Sequence, residues 1–272
     1  MFAGAPDEPV STDWDRACGF RDAHHTMTAR RAEDSAAFRG TQVILRQLPY
    51  LDGPYTTPAR RADDLAGFRT ELDRWLAAHP TGTVLVPACA GVQVKPAPWE
   101  RFRRSTPAAS ADSVPAPAHP APAQGNAPTP TPPQRVIVSA KNVVRSLMHW
   151  DFRRRRAAAQ RKGLAVNVDH LAVRDVALQV AAAYPGATVV LYEDLPYLWS
   201  QPADDAVAQH ASHRHDAVGF DLPVDTDEKF QRIQAYASQI EVMDPIHHRL
   251  SQPGSLPHRE RYWQLIPQGE SS

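Results

Sequence analysis

Cysteine is nearly absent from this chain: Cys18 and Cys89 are the two among 272 residues. Two thiols cannot build a disulfide framework or a Cys-rich zinc site, and they point to a reducing compartment, so a cytoplasmic location is expected. Net charge is absent too, with 30 basic residues against 30 acidic ones. That balance argues against nucleic acid as the main partner. No apolar run approaches the length of a membrane span. The opening Met1-Phe2-Ala3-Gly4-Ala5-Pro6-Asp7 has neither the basic start nor the apolar stretch of a signal peptide. A Gly-rich phosphate loop, a Ser-His-Asp arrangement and a GxSxG turn are also missing. No internal repeat is evident.

What is present is enough apolar material for a core, 42% of the residues, and a length that suits one large α/β domain or two small ones. Phe2-Ala3-Gly4 reads like the tail of a buried strand. Residues 5–22 are rich in Pro, Asp and Gly and read as a loop. A helix is predicted from a Thr26 cap to about Phe38, stopped by Gly40. Gln42-Val43-Ile44-Leu45 is a candidate short strand, and Leu48 to Pro58 a Pro/Gly loop. A second helix is predicted over about Arg61 to Ala78, with Leu65, Phe68, Leu72, Trp75 and Leu76 on one face. Thr83 to Pro87 reads as a buried strand, His170 to Ala183 as a helix, and Thr188 to Tyr192 as the best strand of the chain. A last helix is predicted from Asp227 to Val242. Helices alternating with short apolar strands point to a Rossmann-like, mostly parallel sheet with flanking helices.

Residues 105–134 differ in character. They hold nine of the 26 prolines and almost no large apolar side chains, so they read as a disordered Pro-rich insertion. The predicted organisation is one α/β domain in two parts, 1–104 and 135–272. Basic clusters flank the insertion: Arg101, Arg103 and Arg104 on one side, Arg153 to Arg156, Arg161 and Lys162 on the other. They read as a solvated helix face, with an anionic substrate or surface as the functional alternative.

The most informative stretch for chemistry is Asn167-Val168-Asp169-His170-Leu171-Ala172-Val173-Arg174-Asp175. Polar groups stand directly before a helix, where the carboxyl edge of an α/β sheet binds ligands. Asn167 or Asp169 can cap the helix while His170 faces the crevice as a candidate zinc ligand. His210, His213 and His215 read as a solvated tract, and the pairs His24-His25 and His247-His248 as poor chelates. Asp194 follows a buried strand and suits either the crevice or a loop hydrogen bond. Arg31 and Glu33 suit substrate or an ion pair with each other.

That stretch resembles the second metal motif of the PIG-L/LmbE-like zinc de-N-acetylases, His-Pro-Asp-His followed by a helix. Ala29-Arg30-Arg31-Ala32-Glu33-Asp34 is similar to the family's Arg-Arg-x-Glu helix, and Leu51-Asp52-Gly53 to its substrate-side loop. Leu191 to Tyr197, Lys229 with Tyr236-Ala237-Ser238-Gln239, and Glu260-Arg261-Tyr262-Trp263 resemble its C-terminal blocks. The resemblance implies an LmbE-like fold and hydrolysis of an N-acetylated amino sugar or glycoconjugate by a zinc-bound water. It implies His170 as a zinc ligand, Asp169 as an orienting catalytic group, and Asn167 in the place of an oxyanion-stabilising His. Asp52 and Arg31 are implied on the substrate side.

The chain departs from the pattern in one respect. The family's His-x-Asp-Asp motif, which supplies the other zinc ligands and the general base, occurs nowhere in it. Asp63-Asp64 and Asp204-Asp205 lack a His two residues upstream. Two readings stand. The strand–helix unit bearing the motif lies upstream of Met1 in the natural protein, or the chain is a degenerate, non-catalytic relative that binds a sugar or a partner protein. A lone His cannot hold zinc tightly, so the chain as given is expected to lack zinc hydrolysis and to be unstable.

Overall fold

A computed structural model describes residues 2–89, 167–200, 215–244 and 248–267, with single positions 147, 150, 151, 154, 158, 204 and 207 between them. The Pro-rich stretch 105–134, both of its predicted boundaries and most of the flanking arginines lie outside the described residues.

The chain opens with strand β1, Phe2–Gly4, which pairs in parallel with β2, Leu48–Leu51. Helices α1, Asp13–Ala17, and α2, Ala23–Ala37, lie between them in sequence. Next come α3, Pro58–Ala78, and β3, Thr83–Pro87. Helix α4, Val168–Ala181, leads into β4, Thr188–Tyr192, and then β5, His215–Pro223. Two helices, α5, Thr226–Gln234, and α6, Ile240–Met243, precede β6, Arg259–Pro267.

The architecture is mixed α/β. Strands β3, β4, β6 and β5 form a four-stranded sheet in that order. The sheet is less parallel than the sequence predicts: β3–β4 is parallel, whereas β6 runs antiparallel to both β4 and β5. The difference comes from β6, which inserts between β4 and β5 and runs against both. Among the described residues, strands β1 and β2 form a separate two-stranded sheet.

The core follows from periodicity. In β3, Val84 and Val86 are buried while Leu85 between them is exposed, the period of two of a one-faced strand. Helix α4 turns Val176, Ala177, Val180 and Ala181 onto those side chains, the spacing of one helix face. Leu76 of α3, Leu191 of β4, and Trp263 and Leu265 of β6 join the cluster. Each fully buried Leu or Val there contributes about 1.5–3 kcal/mol.

Several predicted boundaries shift. No strand forms at 42–45: Ile44 is 88% exposed, and the strand lies at Leu48–Leu51, where β1 offers hydrogen bonds. A side-chain pattern cannot locate a strand whose position is chosen by its partner. The loop predicted at 5–22 contains α1, closed by a Thr12–Asp15 capping box. Asp22, not Thr26, caps α2, its side chain accepting the His25 N–H at 3.0 Å. Thr26 instead donates its hydroxyl to the buried Asp15 at 2.6 Å. The last predicted helix breaks between α5 and α6, where Glu33 takes the Ser238 N–H at 2.9 Å. No helix among the described residues is long and apolar enough to cross a membrane.

Candidate metal centre and crevice

The carboxyl ends of β2, β3 and β4 and the amino end of α4 each deliver polar groups to one region, the edge at which α/β sheets bind ligands. Asn167 is the N-cap of α4, and its side-chain oxygen accepts the Asp169 N–H at 2.9 Å. That cap starts the helix and fixes the two residues after it.

Asp169 is buried and turns toward the loop after β2. Its Oδ2 accepts the Gly53 N–H at 2.8 Å, and its Oδ1 pairs with the Arg61 guanidinium. Burial pushes this carboxyl above its ordinary value, and Asp52 nearby adds to the rise; the Gly53 N–H, Arg61 and His170 pull the other way. Gly53 stands at a close approach. A Cβ there would lie 2.9 Å from Arg61 Nη2 and 3.1 Å from a Val168 methyl. Next to it, Asp52 is paired with Arg30 of α2.

His170 lies on the sheet side of the same helix end. Its Nδ1 is 3.4 Å from Asp194 Oδ2, and its ring meets Tyr197 edge-on at 5.5 Å. The other oxygen of Asp194 accepts the Cys89 N–H at 3.1 Å. Cys89 is the second residue after β3, is buried, and has a left-handed backbone at φ 49°, a conformation that is uncommon for a side-chain-bearing residue. Burial pushes its thiol well above the ordinary range, and Asp194 adds to the effect. Arg174, buried one turn along α4, donates to the carbonyls of Ala88 at 2.9 Å and Cys89 at 3.3 Å.

One ligand atom each from Cys89, His170 and Asp194 lie within 4.8 Å of one another. Sulfur, imidazole nitrogen and carboxylate oxygen form a donor set that suits zinc, so the residues present fit a metal. Among the described residues this is the one such group. The sequence reading singled out His170, left Asp194 between crevice and loop, and passed over Cys89 and Arg174. The signal for Cys89 was available: it is the second residue after a buried strand, the position Asp194 occupies after the next one.

Arg31 sits apart from this centre. Its Nε donates to the Ala3 carbonyl at 2.7 Å and so ties α2 to β1. The Arg31–Glu33 ion pair considered from the sequence does not form, because Glu33 turns to Ser238 and Gln239.

No protein-family model matches the chain, and no curated protein matches it in sequence. Solved structures do. The chain shares the fold of two deacetylases. One is a deacetylase–bog complex in the biosynthesis pathway of teicoplanin, with a TM-score of 0.52 and 18% identity over 100% of this chain and 86% of that one. The other is a deacetylase triple mutant of the teicoplanin biosynthetic pathway, with a TM-score of 0.55 and 17% identity over 100% of this chain and 85% of that one.

Proposed function

We propose that this chain is a metal-dependent de-N-acetylase of the PIG-L/LmbE type, acting on an N-acetylated amino sugar or glycoconjugate. The observation that carries the reading is the position of His170: at the amino end of α4, 3.4 Å from Asp194, beside the carboxyl ends of parallel strands. The fold shared with deacetylases of a glycopeptide pathway supports the reaction class and a sugar-bearing substrate. Two donors beside His170 also weaken the expectation, drawn from the missing His-x-Asp-Asp, that the chain cannot hold zinc.

His170 and Asp194 hold the ion in this reading. A divalent metal bound there would supply Lewis acidity for an acetamide carbonyl and a water of lowered pKa. The chain's own residues bind and orient the substrate. The Asn167 side chain spends its oxygen on the helix cap, which leaves its NH₂ to donate to a developing oxyanion. Asp169 holds the loop of Asp52 and Gly53 against α4 and so sets the width of the crevice. Asp52, half-neutralised by Arg30, keeps acceptor capacity for a sugar hydroxyl.

The test is acetate release from N-acetylglucosamine glycosides by the zinc-loaded full chain. Release is expected, and His170→Ala should reduce it by more than the roughly 10–100-fold that outer-shell changes cost. No release by the parent chain, or equal release by the variant, overturns the reading. One observation favours a second reading, a non-catalytic sugar-binding relative. Asp169 and Asp52, the carboxylates on the β2-loop side of the crevice, are both held in ion pairs, so neither is free to act as a general base. Saturable binding of the glycoside without acetate release would select that alternative.

A further inference from the structure

We propose that Cys89, His170 and Asp194 form a single mixed thiolate–imidazole–carboxylate site for zinc or a zinc-like divalent ion. This deepens the deacetylase reading by naming its metal site, although the site rests on its own geometry.

Three observations carry it. First, the donors come from three separate places, the second residue after β3, the second residue after β4 and the first turn of α4, and still converge within 4.8 Å. Tetrahedral zinc with bonds of about 2.0–2.3 Å separates its donors by roughly 3.5 Å. The longest edge of the triangle therefore closes by roughly 1.3 Å at most, a rotamer adjustment. Second, the charges match. A thiolate and a carboxylate supply two negative charges to a divalent cation, and the imidazole binds neutral. The thiolate also selects zinc-like ions over magnesium or calcium. Third, the turn that presents the thiol is held from behind: Arg174 is buried and donates to the Ala88 and Cys89 carbonyls.

The same residue types also make a nucleophile relay, and the geometry separates the two. In a relay the imidazole stands between thiol and carboxylate, one on each ring nitrogen, which keeps sulfur and oxygen apart. Here the Cys89 and Asp194 ligand atoms are within 4.8 Å of each other as well as of His170, and the Cys89 N–H donates to Asp194. A triangle encloses an ion; a relay needs a line. His170 remains about a third exposed, which leaves a side open for a fourth ligand.

Cobalt(II) is the probe, added to the reduced, metal-free full chain. With two cysteines in the sequence, a thiolate-to-cobalt charge-transfer band can arise only from Cys18 or Cys89. One equivalent should produce the near-ultraviolet charge-transfer band and tetrahedral visible bands, and zinc should displace both. Cys18→Ser should keep the charge-transfer band, and Cys89→Ser should abolish it. His170→Ala and Asp194→Asn should weaken cobalt binding at least tenfold, with circular dichroism confirming that each variant is folded. Three results overturn the site: no thiolate band, a band that follows Cys18, or stoichiometric binding indifferent to His170 and Asp194. Rapid alkylation of Cys89 that depends on His170, with no cobalt band, assigns a thiol nucleophile instead. The readout is independent of turnover: cobalt bound without acetate release sinks the deacetylase reading alone, and acetate release without a thiolate band sinks the site alone.

Discussion

Gly53 has no side chain, yet it decides how closely the loop after β2 approaches α4. Its N–H donates to Asp169, and the space where a Cβ would stand is taken by Arg61 and Val168. Gly53→Ala must displace the Arg61–Asp169 pair. Arg61 is flexible, so the expected cost is about 1–3 kcal/mol, the usual range for overpacking. A fall in Tm on a thermal melt is the measurement; an unchanged Tm would mean that the loop moves freely. At this scale the sequence was partly legible. Asp52, Asp169 and His170 stand out because polar residues flank a strand end and a helix start. Cys89 and Arg174 do not, because their roles depend on which strand ends become neighbours. A lone Cys after an apolar run reads as core until the parallel β3–β4 pairing sets it beside Asp194.

At the scale of elements, long periodic segments were legible and starts and stops were less so. Helix α3 and strands β3 and β4 form within a few residues of their predicted bounds, since apolar spacing sets both the element and its buried face. Helix α2 begins one turn before its predicted cap, because Asp22 captures the His25 N–H and frees Thr26 for Asp15. Asp22→Ala is accordingly expected to cost about 1 kcal/mol, the usual value of an N-cap. The pH dependence is specific. Burial opposes ionisation of Asp22, but hydrogen bonds from the His25 backbone, Arg21 and the His25 ring outweigh it and hold the carboxyl at about 2 rather than 3.8. Because the folded value lies below the unfolded one, the cap's stabilisation is complete above the unfolded value and is lost as pH falls toward 2. Urea melts should show the full parent–variant gap at pH 6 and a gap closing between about pH 4 and 2. A gap that stays constant over that range would exclude the ionised cap as its source.

Across the whole molecule, two sheets that share no hydrogen-bonded strand pair among the described residues have to be held together by other means. Side-chain patterns revealed the α/β class and strands β1, β3 and β4, but not β2, β5 and β6 or this division, which depends on pairing rather than on any local segment. Helices α3 and α4 pack across the gap, and polar ties span it: Asp169 to Gly53 and Arg61, Arg232 of α5 to the Ala37 carbonyl at 2.7 Å, and Glu33 to the turn before α6. Glu33 makes the densest of these. Its two oxygens accept the Ser238 N–H, the Ser238 hydroxyl and the Gln239 amide at 2.9–3.0 Å. Glu33→Ala leaves these donors unpaired in a half-buried setting, at an expected cost of about 1–3 kcal/mol. If the tie couples the two halves, hydrogen exchange should rise in α2 as well as around Ser238, since loosening one partner frees the other. Glu33→Gln, which keeps one acceptor oxygen, should lose less on both sides. Faster exchange confined to the Ser238 turn, with α2 as protected as before, would mean that Glu33 only fastens a loop and that α3–α4 packing alone unites the sheets.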